Sequence, residues 1–434
     1  MTVNGRQLPV HEISIIGLGK VGLPMAAGFG AAGVKVTGFD SDPGRGELLQ
    51  THDPEDRTIC LEAGLSAALV KARPNLQAAD SIAEALEASD ISFVIVPTPS
   101  EPDGSFSLDH VADAFAEIGQ ALSRLNRPHL IVLVSTVSPG SVSGTLIGIL
   151  EKHSGLKLGK GFHLAYSPAL IALGDVIRGF MQPDLAFVGE THSEGGDQLA
   201  AFYRDILPEN TPVHRMSAQS VEIAKIALNN FLTMKISFSN LIGQLCNDTI
   251  GADAHQVLGA LGDDHRIGSA YLKPGMPFGG PCLPRDNAAL ASSLQKAGLA
   301  SDLPNAAFRI NQELMRQLAN LTDPGLGKTI AVIGLGYKAG SNLTDDSAAI
   351  IICNHIAQTG AEVRVGDPQI DNMDLTNLDA DVQLFADLEE AVRGCDTVLI
   401  TGYVQTDINV RGLCLPDTCV IDIGDGFAIK HGNF

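Results

Sequence analysis

The chain carries the same structural opening twice. ISIIGLGKVGLP begins at Ile13 and IAVIGLGYKAGS begins at Ile330. Each is an apolar run, a glycine turn, a helical stretch and a second apolar run ending in an acid, VKVTGFD at Asp40 and AEVRVGDP at Asp367. A doubly wound α/β domain begins this way. At 434 residues the chain is too long for one compact core. The expected fold is therefore α/β, with a Rossmann-like lobe at each end. Further short, nearly continuous apolar runs around Val94, Leu133, Ala165 and Phe187 read as parallel strands covered on both faces.

Between the lobes the apolar period changes to that of a helix. From Ser217 to about Gly262 the spacing predicts a long central helix joining the two lobes. A glycine-rich loop follows from Asp263 to Asp286, helical sequence resumes to about Asn320, and LTDPGLGK links into the second lobe. The expected division is a first lobe over 1–212, a helical middle domain over 213–321 and a second lobe over 322–434.

Charge excludes two classes of partner. Fifty acidic residues stand against 29 basic ones, a net charge of −21, which repels nucleic acid and acidic lipid alike. A phosphate-bearing ligand must therefore be held by local cations and backbone N–H groups. The N-terminus has no basic-then-apolar leader, and no apolar run approaches the roughly 20 residues that span a bilayer. Seven scattered cysteines (60, 246, 282, 353, 395, 414 and 419) include no CxxC pair. They are expected to be reduced thiols in a cytoplasm, with neither a disulfide frame nor a metal site.

Gly17-Leu18-Gly19-Lys20-Val21-Gly22 fits GxGxxG between a strand and a helix. The first glycine permits the turn, the second lets a pyrophosphate approach the backbone, and the third packs helix on sheet. Asp40 ends the second strand about 20 residues on, where an acid accepts ribose hydroxyls and repels a 2′-phosphate. NAD is the expected cofactor, with a flavin or a purely structural turn as alternatives. The second turn, Gly334-Leu335-Gly336-Tyr337-Lys338-Ala339, carries a lysine suited to a ligand phosphate or to solvent.

On the central helix, Glu222-x-x-Lys225-x-x-x-Asn229 sets a lysine and an amide one turn apart. Together they can polarise a hydroxyl or carbonyl; a lysine that snorkels to the surface is the plain alternative. Phe278-Gly279-Gly280-Pro281-Cys282-Leu283-Pro284-Arg285-Asp286 frees its backbone at the glycines and stiffens at the prolines. A cation near Cys282 lowers its thiol pKa toward a nucleophilic thiolate, and Asp286, four residues on, can act as a base.

Here the chain resembles the UDP-glucose/GDP-mannose dehydrogenase family over essentially its whole length. The resemblance runs through GLGKVGLPMA, VPTPSEPDGSFSL from Val96, STVSPGS around Thr136, PDLAFVG from Pro183, EIAKIALNNF, DHRIGSAYLKPGMPFGGPCLPRD from Asp264 and GLGYKAGSNLTDDS from Gly334. It implies a four-electron, NAD-dependent oxidation of the C6 hydroxymethyl of a nucleotide-linked sugar, of UDP-hexose or UDP-N-acetylhexosamine type. The product is a uronic acid of the kind used in polysaccharide biosynthesis. Cys282 would form a thiohemiacetal and then a thioester. Lys225 and Asn229 would stabilise the oxyanion, Asp286 would be the acid–base carboxylate, and Thr136 would position water. Lys20, Val21, Pro97, Thr98 and Thr136 would join the glycines and Asp40 around NAD. Arg266, Tyr271, Phe278, Gly279, Gly280 and Lys338 would hold the nucleotide sugar, and the central helix would form a homodimer interface.

The chain departs from the family at three places. The family's SPEFxxEG reads Ser167-Pro168-Ala169-Leu170-Ile171-Ala172-Leu173-Gly174, which removes the glutamate assigned to thioester hydrolysis. Ser347-Ala348-Ala349 stand where an arginine usually follows TDD, and a C-terminal DGR reads Asp422-Ile423-Gly424; both bear on nucleotide identity. The alternatives are a two-electron oxidoreductase or epimerase, a hydroxyacid or phosphogluconate dehydrogenase, and a catalytically inactive nucleotide-sugar sensor.

Overall fold

The computed structural model describes residues 2–3, 6–7, 11–50, 62–404, 407–424 and 428–430; Cys60 and most of the N-terminal segment lie outside them. The described chain forms two compact units, residues 1–226 and 227–434.

The first unit is built on eight strands: β1 (Glu12–Ile16), β2 (Lys35–Phe39), β3 (Leu76–Ala78), β4 (Ile91–Val94), β5 (His129–Leu133), β6 (Phe162–Tyr166), β7 (Ala186–Glu190) and β8 (Val213–Ser217). Their order is β3-β2-β1-β4-β5-β6-β7-β8, parallel except where β7 runs against β6. The sheet is covered on both faces, as its continuous apolar runs require. In β5, Leu130 and Val132 enter one core while Ile131 and Leu133 enter the other. Helix α1 (Gly22–Ala31) follows β1, α2 (Asp109–Leu122) and α3 (Ile147–Ser154) flank β5, and α4 (Ser193–Ile206) follows β7.

Helix α5 (Ala218–Asn247) leads out of the first unit. The single helix expected to reach about Gly262 is instead two, because Gly251 takes a left-handed φ of 82° and Asp253 then caps α6 (Ala254–Asp263). The Asp253 carboxylate accepts the His255 and Gln256 N–H groups at 2.8 and 3.1 Å, starting a new helix rather than continuing the old one. Helices α7 (Leu283–Lys296) and α8 (Asp302–Leu321) follow.

The second sheet repeats the plan of the first. Its strands are β9 (Thr329–Ile333), β10 (Glu362–Gly366), β11 (Gln383–Phe385), β12 (Thr397–Ile400), β13 (Cys419–Asp422) and β14 (Ala428–Lys430), in the order β11-β10-β9-β12-β13-β14. Only β14 is antiparallel to its neighbour. Helix α9 (Ala348–Ala357) packs on it. Both sheets have the 3-2-1-4 core of a dinucleotide fold, whose ligands bind at the carboxyl ends of the strands where the order reverses. Among the described residues no helix is long and apolar enough to cross a membrane.

Candidate active site

The turn from β1 into α1 is shaped by what its glycines lack. A Cβ on Gly17 would lie 2.0 Å from the Ile95 carbonyl oxygen, and one on Gly22 would lie 1.8 Å from that of Gly17. Gly19 differs: a Cβ there would meet only the Arg45 guanidinium, at 3.6 Å. Its backbone face is open, as close approach of a pyrophosphate requires. Helix α1 starts without a side-chain cap, so its first N–H groups remain available to phosphate. The Asp40 carboxylate accepts the Leu18 N–H at 2.7 Å and the Asp42 N–H at 2.9 Å, with Arg45 at 3.5 Å. A carboxylate has about four lone-pair sites, so capacity for ribose hydroxyls remains. The residues fit NAD. Arg45 was missed from sequence; the signal was a cation five positions beyond the strand-ending acid.

The loops that follow β4 and β5 are tied together. Thr98 donates to the Thr136 carbonyl at 2.8 Å, and the Ser135 hydroxyl both accepts the Val96 N–H and donates to its carbonyl. Glu222, fully buried on α5, accepts the N–H groups of Gly140 and Val142, anchoring the segment that carries Thr136. Burial pushes the Glu222 carboxyl up, and those two donors draw it back. Lys225, one turn along α5, is buried rather than snorkelling.

Where the glutamates of SPEFxxEG would stand, Leu173 is buried and Ala169 packs on the apolar core. Neither can activate water. A carboxylate does reach this segment from elsewhere: Glu62 accepts the Ile177 N–H at 3.0 Å, at the start of the short helix Val176–Met181.

In the second unit, Cys282 is the residue preceding α7, and it is exposed while Asp286, in the first turn, is buried. The Asp286 N–H donates to the Cys282 carbonyl at 2.9 Å, placing the two one turn apart. Asn229 donates to the Asp286 carboxylate at 2.6 Å, and Asn230 donates to its carbonyl at 2.8 Å. The amide on α5 therefore orients this acid, a pairing between residues 57 apart in sequence that local spacing does not reveal.

The loop before Cys282 is pinned from three sides. Asn311 on α8 exchanges two 2.8 Å hydrogen bonds with the Phe278 backbone. Gly275 donates to Asn240 at 2.9 Å. The Gly280 N–H donates to the Asp346 carbonyl at 3.3 Å, and a Cβ on Gly280 would strike the Tyr337 ring. Lys338 lies 5.9 Å from that same ring centre, so the second glycine turn and the Cys282 loop meet through Tyr337. Burial and the neighbouring Asp345 push the Asp346 carboxyl up, while Arg285 pulls it down. Tyr271 holds a left-handed φ of 60°, uncommon for a residue with a side chain. Arg266 is exposed, its guanidinium forked on Asp264 at 2.6 Å.

Two doubly wound lobes, an open glycine turn with its acid, and a thiol at a helix start define a dinucleotide-dependent dehydrogenase. Residues 11–207, 219–313 and 331–405 match, in order, the NAD-binding, central and UDP-binding domains of the UDP-glucose/GDP-mannose dehydrogenase family. A UDP-glucose 6-dehydrogenase of Haloferax volcanii is 32% identical over 82% of this chain and 83% of its own. A GDP-mannose 6-dehydrogenase of Pseudomonas putida is 30% identical over 83% and 81%. The solved UDP-glucose dehydrogenase of Pyrobaculum islandicum superposes with a TM-score of 0.87 at 29% identity, covering 99% of this chain and 97% of that one. The chain belongs to the UDP-glucose/GDP-mannose dehydrogenase family, and it is an NAD-dependent nucleotide-sugar 6-dehydrogenase.

Proposed function

We propose that the chain oxidises the C6 hydroxymethyl of a UDP-hexose or UDP-N-acetylhexosamine to the uronic acid, with Cys282 as covalent catalyst. The observation that carries this reading is the exposed thiol at the start of α7, one turn from a buried carboxylate held by Asn229. When bound, NAD supplies the hydride acceptor for both oxidations. Asp286 takes the hydroxyl proton as the alcohol becomes an aldehyde. The Cys282 sulfur then adds to the aldehyde carbon, and Lys225 and Asn229 stabilise the oxygen as it gains charge. Loss of the second hydride restores the C=O bond as a thioester. Water positioned by Thr136 adds to that carbon, the C–S bond breaks, and carboxylate and thiol are released. Phe278, Gly279, Gly280, Tyr271, Arg266 and Lys338 hold the nucleotide sugar, and the division at 1–212, 213–321 and 322–434 separates cofactor, middle and nucleotide lobes.

The apolar surroundings of Ala169 and Leu173 favour a second reading, a two-electron oxidoreductase or epimerase that has abandoned hydrolysis. Counting NADH per sugar nucleotide across a panel of UDP-hexoses, UDP-N-acetylhexosamines and GDP-mannose separates the two. Two NADH with acid as product is expected. One NADH with free aldehyde, or none net with an epimer, overturns the four-electron course.

We assign the chain to the cytoplasm, where its free thiols stay reduced, and α5 to a homodimer interface. The supporting feature is an exposed apolar row on α5: Phe231, Phe238, Leu241 and Leu245, the last 61% accessible. Leu245→Glu should turn the dimer into a monomer by light scattering; an unchanged mass would move the interface elsewhere.

A further inference from the structure

Outside the machinery described above, one group of side chains in the first unit has the make-up of a metal site. His163 is the second residue of β6, His192 immediately precedes α4, and Glu194 lies in the first turn of α4. One ligand atom from each of the three lies within 4.8 Å of the other two. The imidazole centres are 5.8 Å apart, and His163 Nε2 faces Glu194 Oε2 at 3.5 Å. We propose that His163, His192 and Glu194 form a binding site for a zinc-class divalent cation, with water completing its coordination.

Two plainer explanations of the cluster are a His–Glu hydrogen bond and an ion pair. A separation of 3.5 Å is too long for a good N–H···O bond, which spans about 2.7–3.2 Å. Two ligands on one tetrahedral zinc, at metal–ligand distances of 2.0–2.2 Å, stand about 3.4 Å apart. An ion pair would put a charge on the His163 side chain, which is 5% exposed, opposite a Glu194 that is 63% exposed, and a charge buried against a solvent-facing partner is costly. The Nδ1 atoms of both His163 and His192 are buried without a hydrogen-bond partner. Unsatisfied buried imidazole nitrogens are costly, and ligation through Nδ1 would satisfy His192; His163 would bind through Nε2, the atom that faces Glu194, so its Nδ1 gains nothing from the cation. Glu194 is well exposed, so its carboxylate can swing inward to close the remaining gap and leave a position for water.

The backbone makes room for both rings. A Cβ on Gly159 would sit 3.0 Å from the His192 ring, and a Cβ on Gly195 would sit 3.0 Å from the His163 Cβ and 3.7 Å from its ring. The N-terminus of α4 is mildly unfavourable to a cation, a modest penalty that the Glu194 carboxylate offsets. Two nitrogens and one carboxylate oxygen suit zinc better than magnesium or calcium. His163 lies near the start of β6, whereas the GxGxxG turn follows the end of β1, and the intervening strands are all parallel. The cation would therefore bind at the edge of the sheet opposite the cofactor turn and clamp α4 onto β6.

The test uses the full chain carrying Cys282→Ala, so that zinc held by the exposed thiol is not counted. After EDTA treatment it is titrated with ZnCl2 by calorimetry, and thermal unfolding is followed with and without zinc. One zinc per chain and a rise in unfolding temperature are expected. Adding His192→Ala and Glu194→Gln, both near the surface, should weaken binding at least about 100-fold and abolish the thermal shift. Their metal-free unfolding temperature should match that of the parent, with buried His163 left in place. Co2+ should give the strong visible absorption of a low-coordinate site in the parent alone. Equal zinc uptake by parent and variant, or none at micromolar zinc, overturns the proposal.

Discussion

The turns at Gly17 and Gly334 are laid out by the same hydrogen bonds and end differently. Gly17 donates to the Phe39 carbonyl and Gly334 to that of Gly366, at 2.8 and 2.9 Å. Asp40 accepts from Leu18 and Asp42, and Asp367 accepts from Leu335 and Gln369. Each acid thus braces the glycine turn on the adjacent strand. Beyond that point they diverge. Gly19 faces only the flexible Arg45 guanidinium, at 3.6 Å, and α1 begins at Gly22, whereas a Cβ on Gly336 would lie 2.3 Å from the Ser341 carbonyl oxygen, and α9 begins only at Ala348. The second turn is filled by its own chain. An acid at a strand end therefore serves the turn first, and an open middle glycine marks the one that can also take a dinucleotide.

Four experiments would break or sharpen this contrast. The largest effect is expected from Cys282→Ala in the second unit, which should abolish net acid formation while leaving NAD affinity, a property of the first turn, unchanged. Turnover to acid at the parental rate would show that the thiol is not the covalent catalyst. Next, Gly19→Val should weaken NAD binding about 100-fold, about 2.8 kcal/mol, without lowering the unfolding temperature. The mirror change, Gly336→Val, meets backbone and should cost about 1–3 kcal/mol of stability while leaving NAD binding alone. Calorimetric titration and thermal unfolding of both proteins decide it; the same phenotype at both glycines would end the distinction between open and filled turns.

The acids come third. Asp40→Asn removes charged hydrogen bonds worth about 1.5–3 kcal/mol, so NAD should bind tenfold or more weaker and NADP should be rejected less. Asp367→Asn should affect stability alone. Parental discrimination by the Asp40 variant would shift the selectivity to some group other than Arg45, whose cation beside Asp40 would attract a 2′-phosphate.

The smallest effect concerns acid. His129 is buried beside Ser92, and desolvation, then Arg127, lower its pKa to about 3. The unfolded chain takes up that proton first as pH falls, so this contribution to stability is intact above about pH 6.5 and is lost progressively toward pH 3. His163 acts in the same sense, and Glu222, held up by burial, acts in the opposite one. In the second unit burial raises the Asp367 carboxyl, so protonating it favours the folded form. Hydrogen exchange at pH 5 should show β4 and β5 losing protection relative to pH 7 before β9 and β12 do. Uniform loss across both sheets would contradict this.

Hydrolysis offers a separate measurement. Losing a positioned base costs about 10²–10⁴ in rate, so a burst of NADH followed by a slow phase, with a thioester on Cys282 visible by mass spectrometry, is expected. Ala169→Glu should shorten the thioester's lifetime. A linear trace with no adduct favours the two-electron reading.

Much of this was legible in the chain. Alternating apolar residues, glycine turns and strand-ending acids act over a few residues, so two doubly wound lobes, NAD and the helix carrying Lys225 follow from sequence. The break at Gly251 was not legible, because Ile250, Val257 and the residues around them keep a helical apolar rhythm across it. Burial and pairing across distance belong to the tertiary structure. It sets Asn229 on Asp286 and Glu222 beneath the Thr136 segment, brings Arg45 to the cofactor turn, and gathers His163, His192 and Glu194. The physical reason is range. Backbone geometry is encoded by neighbours, so it can be read along the chain, whereas the partner and solvation of a side chain are supplied by segments tens of residues away.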